Sequence, residues 1–291
     1  MKTGFASWML IGVLASSAHA FDVTGCGQLV PAGQVGVLQA DLDCSATSGN
    51  CFDDPARGCA RDPGCTDAQC PGVVVRKDAT LQMNGHTVAN GVVLCADSCA
   101  VVGPGTVVGG FGVASMKNLT VSGGLDVHDG AIGIAATRNA IVSDATVTGV
   151  AHNWAIWGNW NLRVANVTAN GNGVGLLAGR SLTGSGVTAN DNVHGGVAAH
   201  RVNLTGVTAT GNGSDADAFG GVISETGVRL KSSTITGNSN VLDGVTRPLD
   251  VFSGQRPRLI DSTCSRSRVL SREYGPHYSA INLDWGVCTG D

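Results

Sequence analysis

The sequence predicts an all-β protein, a single-stranded right-handed parallel β-helix (a solenoid) with disulfide-stapled N- and C-terminal caps. Three observations carry that prediction. Short segments recur at a step of about twenty residues, apolar and small polar residues alternate within each repeat, and ten cysteines fall in the end regions, none between residues 100 and 263.

The repeat is the strongest signal. Asn166-Val-Thr-Ala-Asn-Gly-Asn172 is followed by Gly186-Val-Thr-Ala-Asn-Asp-Asn192 and then by Gly206-Val-Thr-Ala-Thr-Gly-Asn212. Val147, Val167, Val187 and Val207 share a step of twenty, and so do Asn172, Asn192 and Asn212; Ile235 and Asn238 continue the pattern after an insertion. A second short strand follows a glycine in each unit, as in Gly175-Leu-Leu-Ala178 and Gly196-Val-Ala-Ala199. Period-two alternation marks strands with one buried face. Strands this short cannot bury a face alone, but stacked coil on coil they form one continuous internal ladder. Asparagine tolerates left-handed backbone at the corners, and its amides can bond along the stack. A leucine-rich repeat is excluded, because no L-x-x-L-x-L pattern is present.

Four segments follow from this reading. Residues 1–20 read as a signal peptide: Lys2, an apolar run from Trp8 to Ala15, and the small-x-small site Ala18-His19-Ala20. The expectation is a secreted or periplasmic protein cleaved near Ala20, with no later segment apolar for long enough to span a membrane. Residues 21–72 form a Cys-rich N-terminal cap, 73–247 the coils, and 248–291 a C-terminal cap over the open edge of the last coil.

Cysteine usage fits export. Cys26, Cys44, Cys51, Cys59, Cys65, Cys70, Cys95, Cys99, Cys264 and Cys288 all follow the expected cleavage point, and an even count behind a signal peptide argues for disulfides. Spacing suggests that Cys26 meets Cys44 and that Cys264 meets Cys288. Zinc is the rival for Cys51, Cys59, Cys65 and Cys70, whose gaps lack the C-x2-C knuckle.

Composition narrows the partners. Charged residues make up 14% of the chain, against roughly 25% in ordinary globular proteins. No basic tract is present, so nucleic acid is not an expected partner. A hydrophobic share of 43% is too high for disorder.

The opening coil, Leu81-Gln-Met-Asn-Gly-His-Thr-Val88, looks like the L-x-x-N-G-H-T-I segment with which many right-handed parallel β-helices of the pectin-lyase-like superfamily begin. The resemblance covers roughly residues 73 to 263. It implies the fold and leaves the activity open, since that superfamily holds lyases, hydrolases, epimerases, adhesins and proteins without known activity.

Candidate functional residues fall into four groups. Trp154, Trp157 and Trp160 lie close together in a coil of small residues. Exposed indole faces stack on sugar rings, whereas inward ones are fillers. Arg138 and Arg180 begin repeat units, Arg201 begins the next, and Trp160 holds the matching place between the first two; stacked guanidinium groups can hold carboxylates or sulfates, or can simply be solvated edge residues. His200 beside Arg201 is the candidate base for proton abstraction next to a uronate carboxylate. Asp126 and His128 are faintly similar to the D-P-H-D motif of mannuronan C5-epimerases, with Val127 in place of proline and no tyrosine nearby. Asp215 and Asp217 are candidate metal ligands for calcium, in a two-carboxylate loop without the remaining ligands of an EF-hand.

The functional expectation is a secreted, non-catalytic module that binds a polysaccharide or cell-surface glycan or serves as a rigid extracellular element. The alternative is a polysaccharide lyase- or epimerase-like enzyme acting on an acidic polysaccharide. The two differ in geometry: an enzyme needs its histidine, arginine and aspartate on the same face as the tryptophans.

Overall fold

The computed structural model describes residues 20–45, 72–215, 218–242, 245–271, 279–281 and 283–291. The expected signal peptide, Cys51, Cys59, Cys65, Cys70 and Asp217 lie outside the described residues. The chain is a right-handed parallel β-helix. Among the described residues twenty-six strands join in one sheet, almost all in parallel, and that sheet is folded at its corners into three long faces. No α-helix occurs among the described residues, and none of them forms a helix long and apolar enough to cross a membrane.

Each coil gives one strand to each face. Face A stacks Leu29–Val30, Gly72–Val75, Val92–Cys95, Gly112–Ser115, Ile134–Ala136 and Trp154–Gly158, then 174–178, 195–199, 220–224 and Val251–Ser253. Face B runs from Phe21–Val23 through Ala79–Gln82, Leu119–Ser122, 161–165 and 201–205 to Arg258–Ile260. Face C runs from Leu42–Asp43 through Leu125–His128 and 167–170 to Thr263–Cys264. Strand pairing therefore reaches past the repeat seen in the sequence, into residues 21–43 and 251–271.

The core follows from the pleat. Successive side chains in a strand point to opposite faces, so one set lines the interior all along the stack. On face A, Val73, Val93, Val113, Ile134, Ile156, Leu176, Val197, Val222 and Val251 stand in register and are all fully buried. Burying each of these side chains is worth about 1.5–3 kcal/mol. The valines of face C need one refinement. Val167, Val187 and Val207 stack directly, but the coil before them is longer, so Val147 stands opposite Ala169 and Val167 opposite Ala145. Both positions point inward, which keeps the apolar pattern intact.

Corners are built from polar residues that serve the backbone. Between faces B and C, Asp144 and Asn166 adopt left-handed conformations, and the following coils place Gly186 and Gly206 there. That conformation costs an ordinary L residue roughly 1–2 kcal/mol but is open to glycine and tolerated by Asn and Asp. Between faces C and A, Asn172, Asn192, Asn212 and Asn238 form a buried ladder. In each rung the side-chain oxygen accepts the backbone N–H of the previous rung, at 3.0–3.1 Å. The amide nitrogen meanwhile donates to a carbonyl one coil back, at 2.7–3.0 Å.

Disulfides Cys26–Cys44 and Cys264–Cys288 close the two ends, and Cys95–Cys99 bridges the A–B corner of an early coil. Beyond the last full coil, residues 283–291 fold back over the end. Thr289 N–H donates to Cys264 C=O, and the Asp291 carboxylate accepts bonds from Ser267, Val287 and Cys288.

Candidate functional site

Trp154 and Trp157 lie on the outer surface of face A. Their rings stack with centroids 5.0 Å apart and planes 29° from parallel, and both are half-buried. The inward positions of this strand are taken by Ala155 and Ile156, so the indoles are left outside. In register, Trp157 follows Ala135 and is followed by Leu177, Ala198, Ile223 and Phe252. Those later positions are covered by Phe219, Leu249 and Leu270 in a second, exterior apolar cluster. The tryptophan pair is thus the less covered end of an apolar strip outside the helix.

Trp160 lies three residues beyond Trp157, at the A–B corner, and does a different job. The guanidinium carbons of Arg138 and Arg180 sit 4.4 and 4.7 Å from its ring centroid. These arginines come from the coils before and after, so the indole is held between two cations. Backbone bonds align the stack: Arg138 N–H donates to Lys117 C=O, Trp160 N–H to Arg138 C=O, and Arg180 N–H to Trp160 C=O, at 2.7–2.9 Å. Both indole faces are therefore occupied, and Trp160 offers no free face for a sugar. What the corner offers instead is the hydrogen-bonding edges of two fixed guanidinium groups.

The same corner continues in both directions. In one, Lys117 contacts Asp97 at 2.7 Å, and that hydrogen bond from Lys117 is the main cause of the lowered Asp97 pKa. In the other, His200 occupies the next place. Ala178 pairs with Ala199 and Ser181 with Arg201, so Gly179 and Arg180 together face the single residue His200. Nδ1 of His200 lies 2.9 Å from the Glu225 carboxylate, while Arg201 falls inside face B, exposed, opposite Ser181 and Gly227.

The remaining candidates are elsewhere. Asp126 and His128 project from the outer surface of face C, and His128 Nδ1 lies 2.9 Å from the neighbouring Asp129 carboxylate. Asp215 approaches His194 at 4.0 Å in the insertion after face C. Among the described residues no three His, Cys, Asp or Glu side chains gather as metal ligands. The structure thus joins Arg138, Trp160, Arg180 and His200 in one column, places Trp154 and Trp157 beside it, and leaves Arg201, Asp126, His128 and Asp215 apart.

Sequence reasoning missed Asp97, Lys117 and Glu225. A signal was there: each precedes a face B strand, and Glu225 is one of only two glutamates in the chain. No family model, curated protein or solved structure was found to match the chain.

Proposed function

We propose that this is a secreted, non-catalytic β-helix module that binds a polysaccharide or cell-surface glycan on face A and along the A–B corner. The carrying observation is the placement of the stacked Trp154–Trp157 pair next to the Arg138–Trp160–Arg180 column. Half-exposed indoles suit the apolar face of a sugar ring. Arginines pre-oriented on an indole lose less freedom when they bind a carboxylate or sulfate. The acid–base candidates Asp126 and His128 stand on another face, which supports binding over turnover. Export is part of the reading, supported by the N-terminal pattern and the disulfides. So is kinship with the pectin-lyase-like superfamily, supported by the opening-coil motif and the parallel coils.

A second reading rests on His200, which is paired with Glu225 one place beyond Arg180. An imidazole oriented by a carboxylate beside an arginine is what a lyase or uronan epimerase needs to remove a proton next to a carboxylate. One experiment separates the two. The mature protein is titrated with alginate, pectate, hyaluronan and chondroitin, following tryptophan fluorescence for binding and ultraviolet absorbance for unsaturated uronates. Quenching without a rise in absorbance supports the binding module. A rise abolished by His200→Ala supports the enzyme, and no response in either channel counts against both.

A further inference from the structure

Face C carries an array that glycan binding does not use. Thr146, Thr168, Thr188, Thr208, Thr234 and Thr263 stand in register on six successive coils, all pointing outward. Among the described residues no protein group hydrogen-bonds any of their hydroxyls, although hydroxyls and amides of the caps and corners are paired. Two residues further along each strand, a second file presents Thr148, Asn170, Asn190, Thr210 and Thr236. Its members are tied coil to coil: Asn190 N–H donates to the Asn170 side-chain oxygen at 2.8 Å, and the Thr210 hydroxyl donates to that of Asn190 at 2.9 Å. Neither file holds a charge from Thr146 onward, in contrast to face B, where Arg163, Arg229 and Arg258 project.

The repeat of this array is set by the fold. Neighbouring coils are about 4.8 Å apart, and alternate residues of a strand about 6.6 Å apart. Threonine is β-branched and stiff at χ1, so each hydroxyl and methyl group holds a nearly fixed place. The result is a grid of hydroxyls, joined in the second file by the amides of Asn170 and Asn190, with repeats close to those between oxygen atoms on the prism faces of hexagonal ice. The interleaved methyl groups order the water between hydroxyls without competing for its bonds. A loose hydroxyl must immobilise each bridging water at an entropic cost of up to about 2 kcal/mol. A rigid grid matched to ice meets water that is already in place.

We propose that face C is an ice-binding surface, whose partner is the prism plane of an ice crystal. Crystalline polysaccharide is the less suitable partner, because the aromatic platforms that grip sugar rings lie on face A and none lies on this array.

The test uses the whole mature chain and a single seeded ice crystal in a nanolitre osmometer. The wild type is expected to facet the crystal and to open a gap between its melting and freezing temperatures. The double variant Thr188→Lys/Thr208→Lys is expected to bring that gap down to the buffer value. Asn203→Lys, the same change on face B, is expected to keep it. Circular dichroism checks folding. If the lysine variant does not fold, Thr188→Ser/Thr208→Ser keeps the hydroxyls but frees their rotation, and is expected to at least halve the gap. Round, unfaceted crystals with the wild type overturn the proposal. So does an undiminished gap in a folded array variant, or adhesion to crystalline cellulose through face C with no effect on ice. Trp157→Ala should leave ice activity unchanged, which keeps this surface distinct from the glycan site.

Discussion

The side-chain amide of Asn238 donates to the carboxylate of Asp250 at 2.9 Å, and this bond closes the buried asparagine ladder. Every earlier rung donates its backbone N–H to the side-chain oxygen of an asparagine in the next coil. The coil after the last rung has Ser265 and Arg266 at this corner and no asparagine, so the Asp250 carboxylate takes that place. One Asp250 oxygen accepts the Asn238 backbone N–H and amide, and the other accepts the N–H groups of Ser265 and Arg266. Asp250 is 1% exposed, so water cannot substitute for it. Asp250→Ala should lower unfolding free energy by about 3 kcal/mol or more, because each buried donor left without an acceptor costs about 1–3 kcal/mol. Asp250→Asn should cost less, since it keeps one acceptor but turns an amide toward the Ser265 N–H. Guanidinium denaturation of the three proteins tests this, and a loss below 1 kcal/mol for Asp250→Ala would show that the ladder needs no terminal acceptor.

A second prediction compares two asparagines that look alike in the repeat. Asn192 is fully buried and serves Asn172 N–H, Ala169 C=O and Asn212. Asn166 is exposed, left-handed at φ 54° and bonded to Asp144. Asn192→Ala should cost about 2–4 kcal/mol through orphaned backbone groups. Asn166→Gly should be close to neutral, because the relieved backbone strain of roughly 1 kcal/mol offsets an exposed hydrogen bond. Thermal melts of both variants check the contrast, and equal losses would contradict it.

This difference shows what the sequence could and could not convey. The step of twenty in Val167, Val187 and Val207 made the coil legible, because a residue that lines the core must return at every turn. The asparagine corners were legible for the same reason. The outward faces were not. His200 stands next to Arg180 in the corner column only because the coil holding Arg180 has one more residue there, a local irregularity that spacing alone cannot place. By spacing alone Arg201 continues the stripe, whereas register sets it opposite Ser181. The closing of both Trp160 faces by arginine was also hidden, since a stacked guanidinium and a solvated one have the same sequence pattern. Face C was legible as alternating Val and Thr, but its threonine file and the mixed Thr and Asn file beside it were fixed only once register was known.

The tryptophans should separate by function. Trp157→Ala should weaken glycan binding by about tenfold or more, equivalent to roughly 1.4 kcal/mol, with little effect on stability. Trp160→Ala should act on the fold as well, since it removes two cation–π contacts worth about 0.5–1 kcal/mol each and frees both arginines. Isothermal titration together with thermal melts distinguishes the two. If Trp157→Ala binds like the wild type, the indole pair is not the platform.

The C-terminal cap should respond to acid through Asp291. Partial burial raises the pKa of this carboxyl, but bonds from the Ser267 hydroxyl and N–H and from the N–H groups of Cys288 and Val287 outweigh it, and the value falls below its ordinary 3.8. A lowered folded-state pKa means the ionised form is the one the fold prefers. Its stabilisation is fully present above the ordinary aspartate value and is lost as the pH falls through the lower folded value. Asp291→Asn removes that charge and its extra acceptor strength at every pH. The variant should therefore be less stable than the wild type from pH 7 down to about pH 4, with the two curves converging in stronger acid. Trp285 reports on the cap, because its indole N–H donates to Ser253 C=O at 3.0 Å within the same folded-back segment. Fluorescence-monitored denaturation at each pH gives the comparison. A stability difference that stays constant from pH 7 to pH 2 would mean that the Asp291 carboxylate does not hold the cap by its charge.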